Sequence, residues 1–159
     1  MIAQANSAPD APAGEREIIL SRTYDAPREL VWQAWTRAEH MARWWGPNGF
    51  TTTTSEMEVR PGGVWRFVMH GPDGTDYPNL VEYTQVVQPE LLVYNHGDGE
   101  NRERDFHVTV TFTEEGGRTT VTSRMLMQTA EQRQEAVGFG AVELGKQTFE
   151  RLVEHLKTM

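Results

Sequence analysis

Alternating apolar and polar residues dominate the chain between residues 16 and 127, and this period of two is typical of β-strands. The clearest example is residues 64–70, in which Trp65, Phe67 and Met69 occupy every second position. By this pattern and by composition, we predict strands over residues 16–24, 50–59, 64–70, 77–87, 91–95, 106–112 and 119–127. Short turns that contain Pro and Gly, at residues 60–63 and 71–74, connect neighbouring strands and favour antiparallel pairing.

Two short helices interrupt the strand pattern directly after the first strand. In residues 27–36, apolar side chains recur at helical spacing, and Asp25 is the predicted N-cap. Thr36 and Glu39 have the spacing of a capping box, which predicts the start of the second helix. A Gly-Pro pair at residues 46–47 ends that helix, because proline cannot continue it.

The last element is predicted as one long helix from Thr129 to Lys157. Thr129 and Gln132 have capping-box spacing at its start. On one face the C-terminal half is bulky, whereas the N-terminal half carries Gly138 and Gly145. Each helix glycine costs about 1 kcal/mol relative to alanine. Either close packing against the sheet or open volume for a ligand must offset this cost.

Together these elements predict an α+β fold, in which the long C-terminal helix covers one face of a curved antiparallel sheet. Residues 1–15 are rich in Ala, Pro, Ser and Asn and lack apolar periodicity, so we predict a disordered tail there. A length of 159 residues suggests one domain, which we place at residues 16–159.

Composition and charge restrict the possible partners. The net charge of −8 disfavours nucleic acid and anionic membranes, because both bind basic surfaces. The chain has no cysteine, which excludes disulfides, thiolate nucleophiles and cysteine metal sites. No apolar run approaches the roughly 20 residues that a membrane helix needs, and the N-terminus lacks the pattern of a secretory signal. We therefore expect a cytoplasmic protein.

Candidate catalytic and metal-binding residues are sparse. The five histidines lack metal-ligand spacing, and we expect neither a metal nor a cofactor. His70 and His96 end strands beside polar loops, and we expect solvated side chains there. The alternative is that the two meet in space, near Glu82 or Asp98. No serine lies in a nucleophile-elbow sequence.

Several short motifs follow one another in a fixed order over nearly the whole chain. They are Tyr24-Asp25-Ala26-Pro27, Val31-Trp32, Trp44-Trp45-Gly46-Pro47, Arg60-Pro61-Gly62-Gly63, Pro89-Glu90-Leu91-Leu92-Val93-Tyr94 and Gly145-Lys146-Gln147-Thr148. In this order they resemble the START-like (SRPBCC) superfamily and, within it, the heat-shock protein 90 ATPase activator-like (AHSA-like) family. The resemblance implies a helix-grip fold, also found in the birch pollen allergen, with about seven strands wrapped around the last helix.

The resemblance also implies a small hydrophobic or aromatic ligand in a cavity between the sheet and the C-terminal helix, and it favours open volume beside the helix glycines. The predicted ligand-binding residues are Trp45, Trp65, Phe67, Met69, Tyr83, Phe112, Met125, Met127, Gly138, Val142 and Gly145. Methionines suit a pocket of variable shape. We expect at least one of Trp44 and Trp45 to anchor the short helices to the sheet.

Two other functions remain open at this stage. One is an enzyme of the polyketide cyclase/dehydratase or hydrolase type, with candidate polar residues Tyr83, Gln85, Tyr94 and His96. Relatives usually carry Glu in place of Gln85, so its absence weakens acid–base chemistry there. The other is a domain that stimulates a chaperone ATPase, as the family name suggests. A homodimer fits a half-exposed sheet edge.

Overall fold

The seven predicted strands and the two short helices after the first strand are present in the computed structural model, which describes residues 12–159. The helices are α1 (Ala13–Arg16), α2 (Arg28–Thr36), α3 (Ala38–Trp44), α4 (Ala130–Gly138) and α5 (Ala141–Leu156). The strands are β1 (Glu17–Tyr24), β2 (Thr51–Met57), β3 (Val64–His70), β4 (Asp76–Val87), β5 (Leu91–Gly97), β6 (Phe106–Glu115) and β7 (Arg118–Leu126). The predicted tail lies outside the described residues up to residue 11, and its last residues belong to the helical turn α1.

All seven strands form one antiparallel sheet in the order β1-β7-β6-β5-β4-β3-β2. This order confirms the predicted α+β class. Because neighbours run in opposite directions, β3, β5 and β7 end where β4 and β6 begin. We call this side of the sheet the open end, and the opposite side, where β6 ends and β7 begins, the closed end.

Tryptophan side chains of α2 pack against the sheet at its closed end, and a tryptophan of α3 packs behind them. Trp35 packs edge-on against Phe112, with ring centroids 5.8 Å apart, and Trp32 packs against the same ring at 5.3 Å. Trp44 is fully buried, and its indole Nε1 donates to the carbonyl oxygen of Ala34 at 3.0 Å. Such aromatic pairs contribute about 0.5–1.5 kcal/mol beyond area burial. Trp44 therefore ties α3 to α2, and the predicted anchoring to the sheet is confirmed for Trp45, whose ring lies 5.4 Å from that of Trp65 in β3.

The predicted caps of the two short helices are wrong in detail. Pro27 is the N-cap of α2, where we expected Asp25, and Arg37 is the N-cap of α3. The hydroxyl of Thr36 donates back to the carbonyl oxygen of Trp32 at 2.7 Å, and no side chain caps α3. The predicted cap further along is confirmed, since Thr129 Oγ1 accepts from the backbone N–H of Gln132 at 3.1 Å.

The predicted single C-terminal helix is wrong, because the chain breaks into α4 and α5. Gly140 lies between them with φ of 88°, in the left-handed region that glycine adopts without steric cost. Phe139 at this break is 84% exposed. Only α5 carries the apolar face against the core, through buried Phe149, Leu152 and Leu156.

Candidate functional site

Apolar side chains at the open end are only half-buried, in contrast to those at the closed end. Met69, Phe106 and Met125 keep part of their surface accessible, whereas Val110 and Val121 at the other end have 0% exposure. All five point to the concave face of the sheet. The concave face is therefore less tightly covered at the open end than at the closed end.

A neutral histidine lies at the centre of the open end. His96 of β5 is paired with Val81 of β4 and with Phe106 of β6. The imidazole ring lies 4.8 Å from the ring centroid of Phe106 and 5.9 Å from that of Phe67. Burial among these apolar groups lowers the pKa of His96 to about 4, so the ring carries no charge at neutral pH.

Hydrogen bonds fix which nitrogen of His96 carries the proton. Asn79 Nδ2 donates to the carbonyl oxygen of Tyr77 at 2.9 Å, and this contact orients the amide. Asn79 Oδ1 therefore faces His96 Nε2, at 2.8 Å. An amide oxygen only accepts, so Nε2 holds the proton and Nδ1 carries a lone pair.

Two tyrosines lie one step further along the concave face. Tyr94 is two residues before His96 on β5, and it is paired with Tyr83 of β4 at a ring centroid distance of 5.8 Å. Burial raises the pKa of both phenols well above the ordinary value of 10.0. Both remain protonated and can donate a hydrogen bond at any physiological pH.

Three polar atoms of this site lack a hydrogen-bond partner within residues 12–159: Tyr83 Oη, Tyr94 Oη and His96 Nδ1. In residues 12–159, the side-chain atoms that are both unpaired and fully buried are Arg28 Nε, Trp35 Nε1 and Asp105 Oδ1, so none of the three atoms of the site is among them. The two phenol oxygens and Nδ1 therefore still face space that a water-sized group can enter. Unpaired polar atoms in an apolar surround favour a ligand that supplies their partners.

Helix α4 covers the open end and is held mainly by polar contacts. None of its residues is fully buried. Gln132 Nε2 donates to the carbonyl oxygen of Glu103 at 2.9 Å, and Arg104 pairs with Glu135 at 3.0 Å. An exposed ion pair of this kind contributes less than about 1 kcal/mol. Arg133 Nε also donates to the carbonyl oxygen of Glu17 at 2.9 Å, and Ala136 packs against the core.

The predicted ligand-binding residues do not all lie at this site. Trp65 stacks on Phe67 with ring centroids 3.8 Å apart, and Trp45 packs against Trp65 at 5.4 Å, so these three form one wall. Tyr83, Met69, Met125, Met127 and Val142 also belong to the core or pack against it. Phe112 lies at the closed end, beneath Trp32 and Trp35.

The glycine argument for a cavity is wrong in its main part. A Cβ at Gly145 would overlap Leu20 Cδ1, so the face of the helix is bare there because a leucine of β1 fills it. Gly138 lies on the exposed surface of α4, with no atom within 4 Å of an added Cβ. Of the two explanations for Gly145, close packing is therefore the correct one.

The enzyme candidates are only partly brought together. Tyr83, Tyr94 and His96 share the concave face, but Gln85 is exposed. The predicted alternative of a meeting between His70 and His96 is also wrong. His70 points to the opposite face, where Nδ1 contacts Asp76 at 2.7 Å and Nε2 contacts Thr53 Oγ1 at 2.8 Å.

Other depressions lie on the outer surface. One open groove of about 660 Å³ runs between β1 and α5, and its lining combines charged and polar side chains with Ile19, Leu20 and Phe149. Within residues 12–159, no group of three His, Cys, Asp or Glu side chains is placed to hold a metal ion. In the same part of the chain, we find no helix with the length and hydropathy to cross a membrane.

A seven-stranded antiparallel sheet with two short helices after its first strand and a C-terminal helix on its concave face defines a START-like helix-grip domain. A family model described as "Activator of Hsp90 ATPase homolog 1-like protein" matches residues 25–157. The chain belongs to this family.

Solved structures support the same assignment. A protein from Arthrobacter aurescens is 25% identical, with a TM-score of 0.85 over 94% of this chain and 91% of that one. A protein from Staphylococcus epidermidis is 26% identical, with a TM-score of 0.80 over 90% of each chain. The AHSA1 protein from Silicibacter pomeroyi, 20% identical with a TM-score of 0.72 over 89% of this chain and 98% of that one, shares the fold. A search of curated proteins found no match.

Proposed function

We propose that this protein binds a small, mainly apolar molecule at the open end of its concave face. The observation that carries the proposal is the set of unpaired polar atoms on Tyr83, Tyr94 and His96, which are surrounded by aromatic side chains and half-buried methionines. Binding sites for small molecules commonly combine an apolar lining with a few polar groups that orient the ligand. The proposed lining residues are Trp45, Trp65, Phe67, Met69, Tyr83, Met125, Met127 and Val142.

This proposal is favoured over catalysis by the chemistry of the site. The pKa of His96 near 4 makes the ring a weak general base at neutral pH. Relatives usually carry Glu in place of Gln85, and Gln85 itself is exposed on the surface. The concave face therefore lacks this candidate for acid–base chemistry. Stimulation of a chaperone ATPase is what the family name describes, and no feature of the site favours it here.

Methionine methyl groups offer a direct test, because they report separately on the open end and on the core. Met69 and Met125 lie at the open end, whereas Met41 lies in the core with 1% exposure. We expect titration with naphthalene derivatives to shift the methyl resonances of Met69 and Met125 and to leave that of Met41 unchanged. Unchanged methyl resonances of Met69 and Met125 at saturating probe would contradict the proposed location.

A pair of variants on one helix gives a second, independent test. Val142 packs against the core in the first turn of α5, and Leu144, two residues on, is 40% exposed. We expect Val142→Phe to weaken probe binding by filling the site, and Leu144→Phe to leave it unchanged. Thermal unfolding of both variants separates a blocked site from an unfolded protein.

We further propose a cytoplasmic protein without nucleic-acid partners, in line with its net charge of −8. β1 and β2 are the edge strands of the sheet, and each leaves one side unpaired by a strand. An edge of this kind favours a homodimer. Sedimentation velocity over a range of concentrations tests this, and a single monomeric species at all concentrations would contradict it.

A further inference from the structure

We propose that the ligand is uncharged and donates a hydrogen bond, from an O–H or N–H group, to Nδ1 of His96. This inference rests on the proposed function and adds the chemical class of the molecule bound. It excludes anionic ligands such as carboxylates and apolar ligands without a donor.

The argument begins with the fixed direction of the imidazole. Asn79 accepts from Nε2 and is itself held by the carbonyl oxygen of Tyr77. These two bonds leave Nδ1 as the free acceptor, since a neutral imidazole has one donor and one acceptor. A ligand with an O–H or N–H group donates a hydrogen bond to Nδ1. A ligand that offers only an acceptor is repelled by the lone pair of Nδ1.

The surroundings of the ring disfavour charge of either sign. The hydrogen-bonded and aromatic neighbours of His96 are Asn79, Phe67, Tyr94 and Phe106, all uncharged, and burial alone accounts for its lowered pKa. An anion would lose its hydration without gaining a cation, and a cation would lose its hydration without gaining a carboxylate. A neutral hydroxyl or amide loses far less hydration in the same place.

The neighbouring phenols complete the recognition of such a group. The hydroxyl of Tyr94, two residues along the strand from His96, has no partner within residues 12–159 and remains protonated. A ligand oxygen that donates to His96 Nδ1 keeps lone pairs that a phenol can donate to. An aromatic alcohol fits this arrangement, because its ring packs on Phe67 and Phe106 while its oxygen both donates and accepts.

Three probes of similar shape test the inference. They are 2-naphthol, which donates, 2-methoxynaphthalene, which does not, and 2-naphthoate, which is anionic at neutral pH. We expect 2-naphthol to bind about five- to tenfold more tightly than the methyl ether, the usual worth of one neutral hydrogen bond. We expect 2-naphthoate to bind more weakly than either.

Matched histidine variants assign the effect to one side chain. His96→Phe should bind 2-naphthol and its methyl ether equally, whereas His107→Phe, on the exposed face of β6, should keep the parent's preference. A second readout needs no variant: on binding 2-naphthol, the nitrogen chemical shift of His96 Nδ1 should move in the direction of hydrogen bonding.

The outcomes separate the two claims. Equal affinities for 2-naphthol and its methyl ether, or an unchanged Nδ1 resonance in the naphthol complex, would overturn the inference about the donor and leave the proposed function standing. Tightest binding of 2-naphthoate would overturn it as well. Failure of all three probes to perturb the open end would overturn both.

Discussion

Arg151 holds the loop between α3 and β2 against α5, and its removal tests how that corner is stabilised. One guanidinium nitrogen donates to the carbonyl oxygens of Gly46 at 2.8 Å, Pro47 at 3.2 Å and Phe50 at 3.2 Å. The other lies 3.4 Å from the carbonyl oxygen of Arg43. Partial burial lowers the pKa of Arg151, and within residues 12–159 no carboxylate pairs with it.

We expect Arg151→Met to destabilise the protein by about 2–3 kcal/mol. Hydrogen bonds from charged groups contribute about 1.5–3 kcal/mol each in favourable geometry. The four contacts of Arg151 contribute much less than four full hydrogen bonds, because three acceptors share one nitrogen and the side chain is only partly buried. Methionine keeps the apolar stem of the side chain, so packing changes little. The carbonyl oxygen of buried Gly46 loses its donor, and that of Pro47 keeps only the backbone N–H of Phe50, at 3.0 Å.

Urea unfolding followed by tryptophan fluorescence measures this change, with Arg124→Met as the matched control. Arg124 is 52% exposed and pairs with Glu17 at 3.1 Å, so we expect that variant to lose less than about 1 kcal/mol. A loss below about 0.5 kcal/mol for Arg151→Met would show that water replaces the guanidinium at all its acceptors, and the account of the corner would be refuted.

Two further changes test the helix glycines and the buried histidine. Gly145→Leu should cost about 1–3 kcal/mol by overpacking Leu20, which is 7% exposed and has little room to move. Gly138→Leu, in open space, should be neutral or stabilising, and equal melting temperatures for the two variants would contradict this. Burial lowers the pKa of His96 from 6.5 to about 4, so its contribution to stability is fully present above pH 6.5. We expect the free energy of unfolding to fall by on the order of 2–3 kcal/mol between pH 6.5 and pH 4. The unfolded chain takes up the proton first, so His96→Phe should flatten this part of the stability profile, and an unchanged slope would contradict the assignment.

Local patterns in the sequence predicted the strands well, because alternation every second residue depends only on which face is buried. Val64–His70 is the same in prediction and structure, and the turn at residues 60–63 has the predicted glycine with positive φ at Gly62, 84°. The anchor role of Trp45 was predictable for a similar reason, since a large apolar ring at the end of a short helix needs the core to cover it.

Features that depend on distant contacts were not predictable. The bare face at Gly145 suggested open volume, but Leu20 of β1 fills it. The pairing of His96 with Asn79 requires the register between β4 and β5, which no local pattern specifies. The break at Gly140 had a signal in the two glycines that flank Phe139, and the apolar periodicity on both sides obscured it.

Intermolecular NOEs in the 2-naphthol complex test the central claim most directly. The account predicts contacts from the naphthol ring protons to the methyl groups of Met69 and Met125 and to the ring of His96, with none to the methyl group of Met41. NOEs only to Ile19 and its neighbours in the groove between β1 and α5 would contradict it, because the molecule would then be bound outside the concave face.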